Sequence, residues 1–509
     1  MLFNSYTYLL FFLPLVLLGF HLLRRAPFRV SVAFLVVSSL IYYGWWDWNN
    51  LWIIGGSCIA NFFAGRAISR RRPSKSGFAI LTAGVIANLG ILSYYKYAGF
   101  FAKMATSWAH ADFDIPAIIL PLGISFFTFQ QVAYLVDAWR GETKEYHFWD
   151  YLLFVTFFPQ LIAGPIVHHK EMLPQFVRHK GKGLSANDLS IGAVILVVGL
   201  FKKVVIADYL ARTSTPLFDL AASGDRSLTC GEAWAATLAY ALQIYFDFSG
   251  YSDMAIGSAR LFGIKLPVNF HSPYKAVSVI DFWRRWHITL SRFLRDYLYI
   301  PLGGNRRGPL RRYGNLLMTM LLGGLWHGAG WTFLIWGGLH GLYLCINHGW
   351  VALRKKFSLP AIPKVLSIPI TFLAVILAWI PFRAGNYELV ATGSMHDALE
   401  ATRSILSSMA GLHGLEFWPS ESGIVASSTR AWRPICLGLI LVWFLPNTQQ
   451  FMRRYFPALG LAQLPGGALG PRKRWQWRPT TGWLLFTLAL LYAVSREFDK
   501  LSEFIYFQF

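Results

Sequence analysis

The stretch DFWRRWHITLSRFLRDYLYIPLGGNRRG (residues 281–308) and the later stretch LLGGLWHGAGWTFLIWGGLHG (residues 321–341) decide how the chain is organised. The first carries the densest arginine cluster of an otherwise apolar protein. Three histidines, His287, His327 and His340, lie in or beside segments hydrophobic enough to enter a bilayer. An ionisable side chain at membrane depth is unfavourable unless it faces a cavity or the bundle interior, so this grouping indicates a functional site.

Apolar residues in the first stretch recur at intervals of three and four, which predicts one continuous helix. These residues are Trp283, Trp286, Leu290, Phe293, Leu294 and Tyr297. The same spacing puts His287 on the apolar face and most of the arginines on the other faces. Pro301, followed by Leu and two glycines, predicts the end of this helix.

His327 stands in a glycine-rich break, GGLWHGAG, between two apolar runs. The glycines on both sides are expected to let a backbone or a ligand approach closely. The alternative interpretation is that His327 only bonds a neighbouring carbonyl and stabilises a kink. Three histidines and an arginine-rich helix within residues 281–341 favour a site.

The composition is typical of a membrane protein. Of the 509 residues, 55% are hydrophobic and 17% aromatic, whereas only 14% are charged. Several apolar runs reach the roughly 20 residues that cross a hydrocarbon core. We therefore expect an all-α polytopic membrane protein, a single domain over residues 1–509, with about eleven or twelve transmembrane helices. The predicted spans lie near residues 7–23, 30–46, 50–66, 78–96, 117–137, 188–206, 232–248, 313–329, 331–349, 365–382, 432–446 and 480–495.

The net charge of +22 suggests nucleic-acid binding at first sight, but the positions of the basic residues argue against it. They cluster in alternate loops, which is the positive-inside pattern of a multi-pass protein. The clusters are residues 24–29, 66–72, 168–182, 260–312, 354–356 and 453–478. MLFNSYTY has no basic residue and no cleavage site follows the first apolar run, so we expect a retained first span with the N-terminus outside.

Twelve crossings place all of these basic clusters in the cytoplasm only if residues 148–167 re-enter the membrane instead of crossing it. Pro159, Gly164 and Pro165 would break a spanning helix in that segment. Residues 383–430 are expected to form an insertion on the outer face, with a short amphipathic helix that acts as a lid or a docking surface.

The cysteines are not expected to contribute to catalysis or to metal binding. The four cysteines, Cys58, Cys230, Cys345 and Cys436, are scattered without paired or metal-ligand spacing, so we expect neither a metal site nor a cysteine nucleophile.

A separate polar cluster lies in YFDFSGYSD (residues 245–253), formed by Asp247, Ser249, Ser252 and Asp253. The favoured interpretation of this cluster is a helix end capped by Asp and Ser side chains.

Seven long motifs extend over nearly the whole chain. They are YFDFSGYSDMAIGSARLFGIKLPVNFHSPY (245–274), FWRRWHITLSRFLRDYLYIPLGGNR (282–306), LLGGLWHGAGWTFLIWGGLHG (321–341), PLGISFFTFQ (121–130), FPQLIAGPI (158–166), PNTQQFM (446–452) and the terminal FIYFQF. Together they resemble the membrane-bound O-acyltransferase (MBOAT) superfamily, in particular the bacterial, AlgI-like branch typified by the membrane subunit of alginate O-acetylation. The resemblance implies a helical bundle with re-entrant and interfacial helices around a tunnel, with residues 245–349 as the catalytic core segment. It also offers a second interpretation of the 245–253 cluster, as a wall of that tunnel.

The superfamily's signature histidine lies in a Trp-His-Gly setting, which corresponds to His327. A second polar residue lies some tens of positions upstream, and FWRRWH places His287 there. The resemblance implies that His327 is the general base, or the site of a transient acyl-histidine, and that His287 orients the hydroxyl or polarises a thioester carbonyl. His340, Trp326 and Trp286 are supporting candidates.

The resemblance further implies that acetyl is taken from cytoplasmic acetyl-CoA, a co-substrate and not a bound cofactor. The acetyl group would cross a bacterial inner membrane for O-acetylation of an exported polysaccharide such as alginate, cellulose or peptidoglycan. A periplasmic acetyltransferase partner is expected, so the chain either completes the transfer or hands the acetyl group over. A transporter and a non-enzymatic scaffold stay open as alternatives.

The basic residues near the first stretch have two interpretations. Guanidinium groups match phosphate in bidentate fashion, so some of these residues are candidates for binding the phosphates of the donor. The alternative is that they bind lipid headgroups and fix the topology, which we expect for most of them. The donor-binding candidates are Arg284, Arg285, Arg292, Asn305 and Arg306.

Overall fold

The computed structural model describes residues 1–109, 118–143, 147–178, 184–306, 308–389, 395–416, 428–464, 475–498 and 504–505. Within these ranges every named element is a helix, and the one strand-like pairing is a bridge between Pro267 and Leu459. Thr7–Phe12, Phe201–Ala207 and Arg295–Tyr299 are π-helical turns that extend α-helices. The α-helices are, in chain order, α1 Leu13–Leu22, α2 Phe28–Gly44, α3 Asn50–Arg71, α4 Lys75–Ala109, α5 Ile124–Arg140, α6 Phe148–Thr156, α7 Phe158–Leu161, α8 His169–Arg178, α9 Ala186–Leu200, α10 Asp208–Ser223, α11 Cys230–Leu261, α12 Val279–Trp283, α13 Ile288–Leu294, α14 Gly308–His327, α15 Trp331–Phe357, α16 Lys364–Leu389, α17 Met395–Met409, α18 Ser428–Phe444, α19 Thr448–Phe451 and α20 Thr481–Glu497.

Each of the twelve predicted spans overlaps one of these helices, which confirms the all-α polytopic fold. In the described part of the chain, five helical stretches are long and apolar enough to cross a membrane: Thr7–Arg25, Asn50–Arg71, Lys75–Thr106, Ala186–Ser223 and Lys364–Tyr387. Large apolar side chains such as Trp52 and Val365 are exposed on their outer faces. Such a surface is suited to lipid and not to water, so the protein is a multi-pass membrane protein.

Helix α11 lies at the centre of the bundle, with almost every residue buried. It begins at a capping box, in which the Thr229 side chain accepts the N–H of Glu232 and the Glu232 carboxylate accepts the N–H of Thr229. Arg226 donates to both oxygens of that carboxylate, at 2.8 and 2.7 Å. Gly263, in the left-handed conformation at φ 77°, follows the helix and turns the chain away.

Glycines let α9 and α11 pack backbone against backbone. A Cβ atom added to Gly257 would lie 2.6 Å from the backbone nitrogen of Leu196. A Cβ atom added to Gly250 would lie 2.8 Å from the carbonyl oxygen of Gly199. Small residues at the interface are how helices associate in lipid, where the hydrophobic effect gives no net attraction between them.

The polar cluster at residues 245–253 lies in the middle of α11, so its interpretation as a helix end is wrong. Asp247 forms an ion pair with Lys203, and Asp253 forms one with Lys202, at 2.8 and 2.7 Å. Both lysines belong to the π-helical turn that continues α9. The buried carboxylates of α11 therefore hold that turn against the central helix.

The segment at residues 148–167 consists of two short helices, α6 with nine residues and α7 with four. At about 1.5 Å per residue, neither helix can cross a hydrocarbon core of about 30 Å. The residues from Tyr151 to Leu161 are buried in protein. The segment is therefore broken inside the bundle, as the re-entrant prediction requires, and the side of the membrane that it returns to remains a prediction.

The insertion at residues 383–430 begins later than the sequence suggested. Arg383 lies inside α16, buried against the ring of Phe218. The amphipathic helix is present as α17, which buries Ala398, Ala401 and Ile405 where it packs on α10 and α16. Residues 417–427 lie outside the described residues.

Candidate active site

His287 lies at a break between helices, and the continuous helix expected for this stretch is wrong. Helix α12 ends at Trp283 and α13 begins at Ile288. His287 itself has φ 41° and ψ 54°, a left-handed conformation that residues with a Cβ rarely adopt. The backbone is held there because the N–H of Ile288 donates to the carbonyl of Asn269, at 3.0 Å. Such conformations concentrate at functional sites, and the His287 ring is completely buried.

His327 is the last residue of α14, where helical carbonyls lack partners within the helix. The ammonium group of Lys96, on α4, donates to the carbonyls of Trp326 and His327, at 2.5 and 3.0 Å. The hydroxyl of Tyr97 donates to the carbonyl of Leu325, at 2.8 Å. A cation at a helix C-terminus also stabilises the helix dipole, so Lys96 and Tyr97 together fix the position of His327.

Lys96 was missed by the sequence analysis. Its signal was available, since it is the one charged residue of the predicted span at residues 78–96. An intramembrane charge is by default a candidate for function. The contact itself was not predictable, because Lys96 and His327 lie 231 residues apart.

The three histidines lie in one row of rings in which histidine and tryptophan alternate. The order is His287, Trp326, His327, Trp336 and His340, with successive ring centroids 6.3, 4.9, 5.0 and 4.9 Å apart. All five rings are buried. The structure therefore brings together the two histidines predicted to cooperate. It places the predicted supporting residues His340 and Trp326 in the same row, together with Trp336, which the sequence analysis did not single out.

Trp286, also predicted as a supporting residue, lies outside this row. Its ring packs on Phe270 and Phe282, at 5.0 and 5.7 Å between centroids. The Phe270 ring in turn contacts His287, at 6.4 Å. Trp286 therefore supports His287 through the ring of Phe270, which lies between them.

The glycines around His327 let neighbouring backbone approach closely, as expected, and the helices fit tightly there. A Cβ atom on Gly328 would collide with the ring of Phe333, and one on Gly324 would collide with the Phe333 carbonyl. Gly337, on α15, lies equally close to the carbonyl of Met320. Helices α14 and α15 are thus packed backbone to backbone, which fixes His327 and His340 relative to each other.

A cavity of about 820 Å³ opens beside the row of histidines. Ile288 and Thr289, which directly follow His287, line it together with Trp283. The ring of Trp283 contacts those of His340 and Trp336, with centroids 5.2 and 5.9 Å away. The charged and titratable residues of the lining are Glu171, Arg284, Arg292, Arg295, Tyr299 and His348.

Of the five donor-binding candidates, Arg284 and Arg292 line this cavity and the other three do not. Arg292 donates to both carboxylate oxygens of Glu171, at 2.6 and 2.9 Å. Arg285 is paired with Asp281 at 2.9 Å. Asn305 accepts the hydroxyl of Tyr299, and Arg306 is exposed.

The terminal motif FIYFQF reaches the neighbourhood of His287. The N–H of Ile505 donates to the carboxylate of Asp247, at 3.1 Å. The ring of Phe504 stacks on Tyr251 and also contacts Phe248, with centroids 4.4 and 5.4 Å away. Phe248 packs edge-on against His287 at 4.8 Å. The described part of the C-terminal motif therefore belongs to the same core as the histidine.

These observations define a multi-pass membrane protein with an intramembrane row of histidines. Comparison with known proteins identifies the family to which it belongs. Residues 95–382 match the family described as MBOAT, membrane-bound O-acyltransferase family. The peptidoglycan O-acetyltransferase of Helicobacter pylori is 43% identical over 443 residues, which cover 82% of this chain and 81% of that protein. The probable alginate O-acetylase AlgI of Pseudomonas aeruginosa is 40% identical over 398 residues, 76% of this chain and 73% of that protein.

A teichoic acid D-alanyltransferase of Streptococcus thermophilus is also similar, at 29% identity over 280 residues, 51% of this chain and 68% of that protein. The chain therefore belongs to the membrane-bound O-acyltransferase family, and it is a membrane O-acyltransferase. The matched range contains all three histidines of the row, Lys96 and α11.

Proposed function

We propose that this protein takes an acetyl group from a cytoplasmic thioester and delivers it for O-acetylation of an exported polysaccharide, from within the inner membrane of a bacterium. The observation that carries the proposal is the position of the arginine-lined cavity beside the histidine row. Ile288 and Thr289 line that cavity, and both follow His287 in the chain. The three histidines of the row are not among the residues that line the cavity, and the ring of Trp283 lies between the cavity and His340. We therefore propose that a donor bound by the arginines extends its thioester past this wall to imidazoles that no bulk water reaches.

Acetyl-CoA is the proposed donor. The cavity volume of about 820 Å³ lies within the roughly 300–1,000 Å³ that is typical of small-molecule sites. Arg284 is exposed and lines the cavity, so its guanidinium is placed to bind the phosphates of the donor. Arg292 already binds the Glu171 carboxylate and is better suited to shape the cavity wall.

The chemistry requires a proton to move from a hydroxyl group to a thiolate. The acceptor oxygen bonds to the thioester carbonyl carbon, the carbon–sulfur bond breaks, and the sulfur ends with the proton. An imidazole, with an ordinary pKa of about 6.5, is the side chain suited to carry that proton near neutral pH. We assign this transfer to the pair His287 and His327, whose rings share Trp326 as a neighbour.

The acceptor side is proposed to be the periplasm, with the N-terminus on that side. The relatives from H. pylori and P. aeruginosa are named for peptidoglycan and for alginate. We accordingly propose an exported polysaccharide as the acceptor class for this chain. Delivery either ends on the polysaccharide itself or passes through a separate periplasmic acetyltransferase.

The test is CoA release by the purified full-length protein in detergent, with radiolabelled acetyl-CoA and oligosaccharides of alginate, cellulose or peptidoglycan. We expect acceptor-dependent CoA release, by the purified protein alone if it completes the transfer, or after addition of a periplasmic extract of the source bacterium if it hands the acetyl group over. A transporter or a scaffold would release none, and that result with every acceptor, with and without the extract, would overturn the proposal.

Two arginine variants refine the test. Arg284→Ala should raise the KM for acetyl-CoA by about tenfold or more, because a hydrogen bond to a charged group contributes roughly 1.5–3 kcal/mol. Arg306→Ala, which removes an exposed guanidinium outside the cavity, should leave the KM within about twofold. Equal KM values for Arg284→Ala and the natural protein would remove Arg284 from the donor site.

A further inference from the structure

A chain of buried hydrogen bonds determines the orientation of the Asn269 side chain. The backbone N–H of Ile166 can only donate, and it donates to the Thr289 hydroxyl oxygen at 3.0 Å. The Thr289 hydroxyl proton is then directed to Asn269 Oδ1, 2.9 Å away. The backbone N–H of Thr289 points to the same atom, at 3.4 Å. Two donors face this atom, so it is the amide oxygen, and the Asn269 amide nitrogen donates to Ser252 at 3.2 Å.

That orientation fixes the tautomer of His287. Its Nδ1 atom lies 3.1 Å from Asn269 Oδ1, which has no proton to give. The proton of this contact therefore belongs to Nδ1, and the neutral ring carries its lone pair on Nε2. The ring is completely buried, and Nε2 has no hydrogen-bond partner within the described residues. Asn269, Thr289 and Ser252 are each at most 2% exposed, so water does not compete for these bonds.

We propose that Asn269 is a positioning residue that holds His287 in the Nδ1–H tautomer and so makes it the proton acceptor of the histidine pair. This inference rests on the proposed function. The acceptor hydroxyl gives its proton to Nε2 while its oxygen bonds to the thioester carbonyl carbon. The carbon–sulfur bond breaks, and the imidazolium returns the proton to the thiolate. A histidine that polarises a carbonyl through Nε2 needs a proton on that atom. The proposed tautomer therefore excludes one of the two roles that the resemblance implied for His287, and the role of proton acceptor replaces it.

Asn269 acts on the histidine at two points, which distinguishes it from an ordinary buried amide. Its backbone carbonyl accepts the N–H of Ile288, and this bond holds the left-handed turn at His287. Its side chain then selects the proton position on the ring that the turn presents. Groups that orient a catalytic imidazole in this way change rates without contacting the substrate.

The first experiment is nitrogen NMR of the full-length protein with ¹⁵N-labelled histidine, in detergent and without any donor. The His287 signals are assigned from the difference spectrum with His287→Gln. We expect the proton on Nδ1 in the natural protein and in Asn269→Asp, since a carboxylate oxygen also accepts from Nδ1. In Asn269→Leu, the Nε2–H form should appear. A natural protein with its His287 proton on Nε2 would overturn the inference, whether or not the variants fold.

The second experiment is steady-state kinetics with acetyl-CoA and the acceptor. Asn269→Leu should lower kcat by about 10–100-fold or more while the KM for acetyl-CoA stays within about twofold. Asn269→Asp should restore most of kcat. The matched control is Asn88→Leu, which removes another buried asparagine, hydrogen-bonded to Asn61 on α3, and should leave kcat unchanged per folded molecule. Natural kcat in folded Asn269→Leu would contradict the proposal.

The two experiments separate this inference from the function on which it rests. The NMR measurement needs no substrate, so a protein that releases no CoA but shows Nδ1–H at His287 would refute the acetyltransferase proposal alone. A protein that releases CoA but shows Nε2–H would refute the positioning role alone.

Discussion

At the scale of single residues, the site is a set of polar rings placed where no bulk water reaches. His287 and His327 are 0% and 4% exposed, and each is held by a group from a distant part of the chain. Asn269 binds the ring of His287, and Lys96 binds the carbonyl of His327. Imidazoles fixed in this way are pre-organised, so that the protein does not need to reorient them during the reaction.

The first prediction concerns His327. Replacement by Ala should reduce acetyl transfer by about 10²–10⁴-fold, because the pair proposed to move the proton loses the imidazole that accompanies its proton acceptor, His287. The stability cost should be on the order of 1–3 kcal/mol if a polar neighbour is left unpaired. Acetylation of polysaccharide is scored against protein abundance in the same membranes.

His340→Ala and His396→Ala serve as comparisons for this prediction. His340 lies at the far end of the row, whereas the His396 side chain, on α17, is 85% exposed. His396→Ala should be indistinguishable from the natural protein. Normal acetylation by His327→Ala at normal abundance would end its catalytic assignment, and an inactive His340→Ala beside it would transfer the assignment to His340.

The second prediction concerns the pH dependence of the Arg292–Glu171 pair. Burial acts to raise the pKa of the Glu171 carboxyl, but its hydrogen bonds and ion pair with Arg292 outweigh burial and hold the pKa below its usual range. A lowered carboxyl pKa stabilises the folded state above the unfolded value of about 4.3, and this contribution is lost as the pH falls through the folded pKa.

The matching variant is Glu171→Gln, measured by thermal unfolding in detergent. At pH 7.5 it should be less stable than the natural protein by on the order of 1–2 kcal/mol, after allowance for solvent screening. The difference should shrink as the pH is lowered below about 4.3. If the difference in stability between Glu171→Gln and the natural protein stays constant as the pH falls well below about 4.3, the ion pair does not stabilise the fold.

At the scale of helices, close packing through glycine positions the elements that carry the site. Helix α11 carries Phe248 and Ser252, which contact His287 and Asn269, and it packs on α9 through Gly250 and Gly257. Since α9 and α11 touch at their backbones, any side chain at these glycines must push the helices apart. Displacement of α11 would then disturb the His287 site.

The third prediction tests this packing. Gly257→Leu should reduce the yield of folded protein, because its side chain would meet the backbone of Leu196; overpacking typically costs about 1–3 kcal/mol, occasionally more. Gly90→Leu is the matched control, since Gly90 lies in the candidate span Lys75–Thr106 and has open space where its Cβ would be. Yield and monodispersity are measured by size-exclusion chromatography in detergent. Equal yields for the two variants would contradict the prediction.

At the scale of the whole molecule, the positive-inside pattern predicts a basic, cytoplasmic side and an outer side of the bundle. The cavity with Arg284, Arg292 and Arg295 must open to the cytoplasm if it takes a cytoplasmic donor. The positive-inside pattern, together with a re-entrant segment at residues 148–167, predicts that orientation. The two short helices of that segment make the required topology physically possible.

The fourth prediction is the sidedness of the basic loop at residues 168–182. A reporter inserted after Lys182, which lies outside the described residues, should report the cytoplasm: green fluorescence without phosphatase activity. The same reporter inserted within residues 417–427, also outside the described residues, should report the periplasm. A periplasmic signal after Lys182 would rule out the re-entrant assignment and invert every loop that follows.

The sequence by itself determined the class of fold and the positions of its apolar helices, and it singled out the three histidines that the structure places in one row. Helical spans follow from the length of apolar runs, which is a local property, because lipid forces each backbone to satisfy its own hydrogen bonds. His287, His327 and their aromatic neighbours lie in long motifs that carry the resemblance to the family. None of these inferences needed to know which helices touch.

The tertiary structure alone decided how those residues are held. The left-handed turn at His287 interrupts a sequence whose apolar period is that of an unbroken helix, and it depends on the carbonyl of Asn269 from another segment. Lys96 reaches His327 across 231 residues, and Ile166 orients Asn269 through Thr289. Hydrogen bonds between distant segments form only after the helices have packed, so the tautomer and orientation of each ring are properties of the assembled bundle.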